Sequence, residues 1–219
     1  MADTAPAAPT EAALRAALAE SYLYLSRHGL LELNSGNVSC RFGDGILISP
    51  NGASAETIRP GSFVAVAADG SAAGSGRPSS ETPMHLAVYA RVPEAGAIVH
   101  THSDHCTALA CCGLGIPGFH YLVGGFGGDD IPCVPYATFG SAELAELAGA
   151  ALARRKGCLL GNHGAICHDR DIAAAAARAH RLESIARQYL LARQAGTPLT
   201  LTAENWRDYH AMAAKFRYG

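Results

Sequence analysis

A mixed or antiparallel β-sheet covered by helices is the fold class this sequence predicts. Short apolar runs bounded by Gly, Asn and Pro alternate with stretches of three- and four-residue apolar spacing, so strands and helices are both expected. They follow one another without a regular β-α-β order, which argues against a purely parallel sheet. The chain has 219 residues, 49% hydrophobic and 16% charged. That length and balance belong to a folded chain with a substantial core rather than a disordered one.

From the start, residues 1–10 are rich in Ala and Pro with no basic residue and no apolar block. They are expected to form a flexible tail rather than a signal peptide, leaving residues 11–219 as a single domain. Glu11 to His28 reads as a helix, because Leu14, Leu18, Tyr22 and Leu25 share one face. The small turn formers Asn34-Ser35-Gly36-Asn37 precede a strand from Val38 to Phe42, and Gly43-Asp44-Gly45 turns it into a second strand, Ile46 to Ser49. Ser62 to Ala68 is a further strand, followed by the Gly/Ser/Ala-rich loop Gly70 to Arg77. Pro83 suits a first helical turn, with helix continuing from Met84 to Arg91. Ala97 to His100 is a strand, and Ser103-Asp104 is expected to cap a helix running through Cys112.

Gly113 to Tyr136 carries enough Gly and Pro to be mostly loop with short strands. Ser141 is expected to cap a helix from Ala142 to Arg155 that Gly157 ends. Cys158 to His168 forms two strands around Asn162-His163-Gly164, then a long helix runs from Asp171 to about Gln194 and a last one from about Thr202 to Phe216.

Formal net charge is only −2, and Arg154-Arg155-Lys156 is the one basic run. A nucleic-acid or anionic-membrane partner needs a clustered positive field that this chain lacks. No apolar stretch reaches bilayer length, so an integral membrane protein is not expected. The seven cysteines include no Cys-x-x-Cys pair. An odd number in a chain this long fits buried thiols acting as small hydrophobes in a reducing, cytoplasmic setting. Gly124-Gly125-Phe126-Gly127-Gly128 lacks the strand and helix that would make it a dinucleotide fingerprint.

The chemistry is concentrated in histidines. His100 and His102 lie two residues apart on a strand, so both rings point to one face and can reach one ion. His163 sits between apolar strand residues, beside a glycine that permits close approach. Glu81 lies upstream in Ser79-Ser80-Glu81-Thr82-Pro83. Three neutral imidazoles and a carboxylate suit zinc or a similar divalent ion. His85 can face the site from one helical turn beyond Glu81 but more readily packs. His105 reads as a supporting or surface group, and His28, His168, His180 and His210 as structural groups on helix surfaces or ends. Asn34-Ser35-Gly36-Asn37, Pro50-Asn51-Gly52 and Ser79-Ser80 each read alone as turns. Together with the helix start after Glu81, they can hold a phosphate through neutral donors.

Ser35-Gly36-Asn37-Val38-Ser39, Ser79-Ser80-Glu81, His100-Thr101-His102, Pro132-Cys133-Val134-Pro135-Tyr136 and Asn162-His163-Gly164 occur in the order found in the class II aldolase/adducin family. From about residue 12 to the C-terminus the chain resembles the family's L-fuculose-1-phosphate aldolase-like branch. The resemblance implies an α/β fold, a three-layer α/β/α sandwich with a central mixed, largely antiparallel sheet, in a homotetramer with sites at subunit interfaces. It implies that His100, His102 and His163 bind Zn2+ and that Glu81 is both ligand and acid/base. Asn37, Gly52, Ser79 and Ser80 match the phosphate cradle, with Asn34 and Asn51 beside it; Asn34 replaces the usual Thr. Tyr121 matches a tyrosine that reaches a neighbouring subunit's site as proton donor. Phe216 and Tyr218 resemble tail aromatics that close over it, though one residue is missing between them.

The activity implied is reversible cleavage of a ketose 1-phosphate, a small-molecule sugar phosphate, to dihydroxyacetone phosphate and a short aldehyde. The only lysines are Lys156 and Lys215, in keeping with a reaction that needs no Schiff base. Sugar-phosphate 4-epimerases, decarboxylases and dehydratases of the same family are the rival enzymes. Those epimerases tend to carry Asp at the position of Glu81. The non-catalytic adducin-like module lacks the full histidine set that this chain keeps.

Overall fold

The fold is seen in a computed structural model that describes residues 9–216; most of the expected N-terminal tail, residues 1–8, lies outside them, as does Tyr218. In chain order the elements are α1 (Glu11–Arg27), β1 (Asn37–Phe42), β2 (Gly45–Ile48), β3 (Val64–Val66), α2 (Thr82–Arg91), β4 (Ala97–Thr101) and α3 (Asp104–Cys111). There follow β5 (Ile116–Pro117), β6 (Asp130–Ile131), β7 (Cys133–Val134), α4 (Ala142–Leu152), β8 (Gly157–Leu160), β9 (Gly164–Asp169), α5 (Ile172–Ala195) and α6 (Ala203–Phe216). Short 3-10 turns cover Pro60–Ser62 and Tyr121–Phe126.

A seven-stranded sheet runs in the order β3-β2-β1-β4-β9-β8-β7, with β5 and β6 as a separate pair. Every pairing in the large sheet is antiparallel except β7 with β8. Both faces are covered, so the strands read as continuous apolar runs rather than alternating ones. Alternation survives in which layer each residue joins. Val38, Leu47, Ala97, Val99 and Cys167 pack with Leu18, Tyr22 and Leu25 of α1 and Ala175 and Ala179 of α5. Ile46, Ile48, Ile98, Ile166 and Leu160 face the other way, onto Met84 and Val88 of α2 and Leu144 and Ala148 of α4. A third cluster joins Leu159 and Ala165 to α3, the lower part of α5 and Trp206 of α6. Full burial of such side chains stabilises the fold by about 1.5–3 kcal/mol each. The result is the three-layer α/β/α sandwich with a mixed, largely antiparallel sheet.

Several local expectations are corrected. Thr10 is not tail: its hydroxyl accepts from the Ala13 amide at 3.3 Å and caps α1. The strand expected over 62–68 shortens to Val64–Val66 because Pro60–Ser62 forms a 3-10 turn. Helix α4 stops at Leu152 rather than Arg155, and Gly157 opens β8, paired with Cys167, instead of ending the helix. A Cβ on Gly157 would stand 2.9 Å from the Phe126 ring, so close packing, not helix termination, calls for glycine there.

Ser103 immediately precedes α3 but makes no side-chain cap. The cap comes from α5: Glu183 accepts from the backbone N–H groups of His105 and Cys106, each at 3.0 Å. His168 lies in β9, buried, and not at a helix surface. Cys40, Cys106, Cys158 and Cys167 are buried as expected, whereas Cys111 and Cys112 are exposed and Cys133 half-buried. No described helix is long and apolar enough to cross a membrane.

Candidate metal centre and active site

The centre forms where three neighbouring strands meet a helix start. Antiparallel register sets Asn37 of β1 opposite His100 of β4, and His100 opposite Ile166 of β9. His102 continues past the end of β4, on the same side as His100. His163 projects from the turn between β8 and β9, where Asn162 takes a left-handed φ of 53° that Asn tolerates. Gly164 follows because a Cβ would lie 2.3 Å from the Thr101 carbonyl oxygen and 3.2 Å from His102 Cδ2. Glu81 immediately precedes α2 but does not cap it; its carboxylate turns inward to the histidines.

The ligand atoms of Glu81, His100, His102 and His163 lie within 4.8 Å of one another. His100 Nδ1 sits 2.9 Å from the Ala165 carbonyl oxygen. A carbonyl only accepts, so Nδ1 carries the hydrogen and Nε2 of the neutral ring presents its lone pair. That lone pair faces both His102 Nε2 and Glu81 Oε2 at 2.9 Å. Electron-rich atoms at that spacing repel unless a cation stands among them, either a proton on His100 or a metal ion. Glu81 Oε1 is buried without a hydrogen-bond partner, and its 3.3 Å approach to His163 Nε2 lacks hydrogen-bond geometry. A buried carboxylate oxygen left so costs more than about 1–3 kcal/mol, unless it ligates. The residues therefore fit a divalent ion held by three nitrogens and one oxygen.

The electrostatics agree. Burial opposes charge on His100, but the Glu81 carboxylate outweighs it and raises the ring's pKa. Burial, then repulsion from His100, holds His102 and His163 down to about 4. Burial alone would raise Glu81; the charge and hydrogen bond of His100 reverse this and keep its carboxyl well below the usual range. At neutral pH the group thus offers a carboxylate and the unprotonated imidazoles of His102 and His163, while His100, whose proton the carboxylate favours, releases it when a metal binds.

Beside the ligands opens a cavity of about 340 Å³, lined by Asn34, Asn37, Asn51, Gly52, Ser79 and Ser80 together with Glu81, His102 and His163. Gly52 takes a φ of 72°, and the Ser79 hydroxyl accepts from the Glu81 amide at 3.3 Å. Asn37 is tied into this wall, its amide nitrogen donating to Glu81 Oε2 at 2.9 Å. Tyr136, Ala137, Phe139 and Asn162 also line it. The residue reading gave none of these four a role; Tyr136 and Asn162 sat inside motifs already singled out, and Phe139 carried no signal. Tyr121 is not at this cavity. It is 53% exposed and lines a separate hollow with Tyr209, Met212, Ala213 and Phe216. His105 also stands apart, its Nδ1 2.6 Å from Glu183 Oε1.

A model of the class II aldolase and adducin N-terminal domain matches residues 16–190. The 5-methylthioribulose-1-phosphate/5-deoxyribulose-1-phosphate aldolase of Rhodospirillum rubrum is 43% identical over 192 residues, 88% of this chain and 87% of that protein. The L-fuculose phosphate aldolase of Escherichia coli K12 is 40% identical over 171 residues, 78% and 80% of the two chains. Among solved structures, an L-fuculose 1-phosphate aldolase superposes with a TM-score of 0.88 at 30% identity, covering 96% of this chain and 98% of its own.

Proposed function

From the premise that this chain belongs to the class II aldolase and adducin family and is a metal-dependent aldehyde-lyase, we propose that it reversibly cleaves a ketose 1-phosphate of the fuculose 1-phosphate type. The products are dihydroxyacetone phosphate and a short aldehyde, and zinc is the metal. Residues 11–219 form one catalytic domain, assembled as a homotetramer in a reducing cytoplasmic setting. The observation that carries this reading is the convergence of three imidazoles and one buried carboxylate beside a cavity rich in neutral hydrogen-bond donors.

When bound to His100, His102, His163 and Glu81, the ion supplies a Lewis acid for the charge that builds on the ketose carbonyl oxygen as the C3–C4 bond breaks. The amides of Asn34, Asn37 and Asn51, the backbone at Gly52 and the hydroxyls of Ser79 and Ser80 hold the phosphate without a lysine. Glu81, which would take up a proton from solvent once substrate occupies the site, delivers it to C3 and returns to the carboxylate. Tyr121 of a neighbouring subunit takes the C4 hydroxyl proton. One proton leaves the hydroxyl and one arrives at carbon, so the step balances. Tyr136 and Phe139, both exposed at the cavity, suit an aldehyde ending in an apolar group.

The relatives' names differ in the aldehyde half of the sugar, so a panel resolves it. Zinc-loaded protein is given fuculose 1-phosphate, 5-methylthioribulose 1-phosphate, 5-deoxyribulose 1-phosphate, a pentulose 5-phosphate and a 3-oxo acid, with product analysis. Release of dihydroxyacetone phosphate from a ketose 1-phosphate is expected. A C4 epimer, a dehydrated sugar or carbon dioxide as the sole product would move the assignment to the epimerases, dehydratases or decarboxylases.

A further inference from the structure

Behind the metal ligands runs a buried chain of side chains of which the reaction as described uses only Asn37. Asn37 Nδ2 donates to Glu81 Oε2 at 2.9 Å, and Asn37 Oδ1 lies 2.6 Å from His85 Nε2. His85 Nδ1 lies 2.7 Å from the Ser39 hydroxyl, which is 2.9 Å from the Tyr89 hydroxyl. His85 and Ser39 are wholly buried, and Asn37 and Tyr89 nearly so.

Each link has one consistent polarity. An ionised Glu81 only accepts, so Asn37 must present its NH2 to it and its carbonyl to His85. That carbonyl also only accepts, so His85 carries its hydrogen on Nε2. Its Nδ1 then accepts from Ser39, which in turn accepts from Tyr89. A ring with no contact with solvent is costly to charge, so His85 stays neutral and keeps this tautomer. An Asn amide is nearly symmetric in shape and can turn over with little steric change. Among the described residues, the donor at His85 Nε2 is what opposes that turn on the side away from Glu81. Turned over, Asn37 would set its carbonyl against the carboxylate and drive it from the ligand position.

We propose that His85 is a positioning residue for the reaction: through its Nε2–H it locks the amide of Asn37, and thereby holds the Glu81 carboxylate aimed first at the metal and then at the substrate carbon. The inference rests on the reading of Glu81 as ligand and acid/base. Pairs of this kind behind a ligand commonly change metal affinity or activity by about 10–100-fold when lost.

Two substitutions separate this role from simple packing. In His85→Gln the side-chain amide reaches the place of Nε2 and can still donate to Asn37; in His85→Asn it reaches only the place of Nδ1. Zinc affinity, measured by competition with a chromophoric chelator, and kcat with the ketose 1-phosphate that the wild type cleaves are both read, beside melting temperature. His85→Asn is expected to lose about 10–100-fold in affinity and in kcat with KM little changed, and His85→Gln to recover most of both. Equal losses in the two variants, or losses that follow melting temperature alone, would overturn the proposal. If His85→Asn does not fold, Ser39→Ala reads the chain from its other end; a smaller loss in affinity is expected, and none would overturn it. A wild type that cleaves no ketose 1-phosphate would sink the proposed function, while the order of zinc affinities would still test His85.

Discussion

His100 and His102 carry the same side chain two positions apart, and burial gives them different tasks. His100 is wholly buried and orients its Nε2 through the Ala165 carbonyl, while His102 is partly open to the cavity. Strand periodicity alone made their shared direction legible, and a neighbouring glycine marked His163. Glu81 was legible as a carboxylate near a helix start. Its inward turn was not, since it depends on Asn37, His85 and three strands meeting in space. Tyr121 shows the opposite limit: its role came only from family resemblance, and within one chain it stands away from the cavity. As a proton acceptor from a neighbouring subunit, it should lose about 10²–10⁴-fold in kcat on Tyr121→Phe, with the assembly's mass unchanged. A wild-type rate in that variant would remove Tyr121 from the reaction.

At the scale of elements, helices α1, α2, α5 and α6 lie within a residue or two of where apolar spacing and caps placed them. The failures share one cause, which is that a distant partner decides. Gly157 resembles a helix stop in sequence, but the Phe126 ring and β9 claim it for a strand. Ser103 resembles a cap, yet Glu183 from α5 takes both amides of the first turn of α3 and also holds His105.

Burial by itself would raise Glu183, but those backbone and His105 hydrogen bonds bring its pKa below the ordinary value. A carboxyl depressed in the folded state contributes stability that is complete above its unfolded pKa, about 4.3, and is lost as pH falls through the lower folded value. Glu183→Gln should therefore destabilise metal-free protein by about 2 kcal/mol in urea at neutral pH. The gap to wild type should hold down to about pH 5 and then narrow with further acid. A gap that widens in acid would contradict the assigned cap.

Across the whole molecule, strand order does the assembling. β4 lies at the centre of the sheet with β1 and β9 on either side, so Asn37, His100 and the turn bearing His163 meet although the chain separates them widely. Composition and irregular alternation foretold a mixed sheet under helices, and the resemblance supplied its three layers. Neither could be read as strand order from local pattern, because order is set by which apolar faces close over α1 and α5 or over α2 and α4. The candidate metal centre comes together only in that order, and every step of the proposed chemistry depends on it.

Calorimetric titration of metal-stripped protein with zinc tests this most directly, repeated on His100→Ala and His163→Ala variants whose circular dichroism matches wild type. One ion per chain is predicted for wild type, with tight binding lost in both variants. Tight binding that persists without His163, or a wild type that takes up no ion, would contradict the shared site.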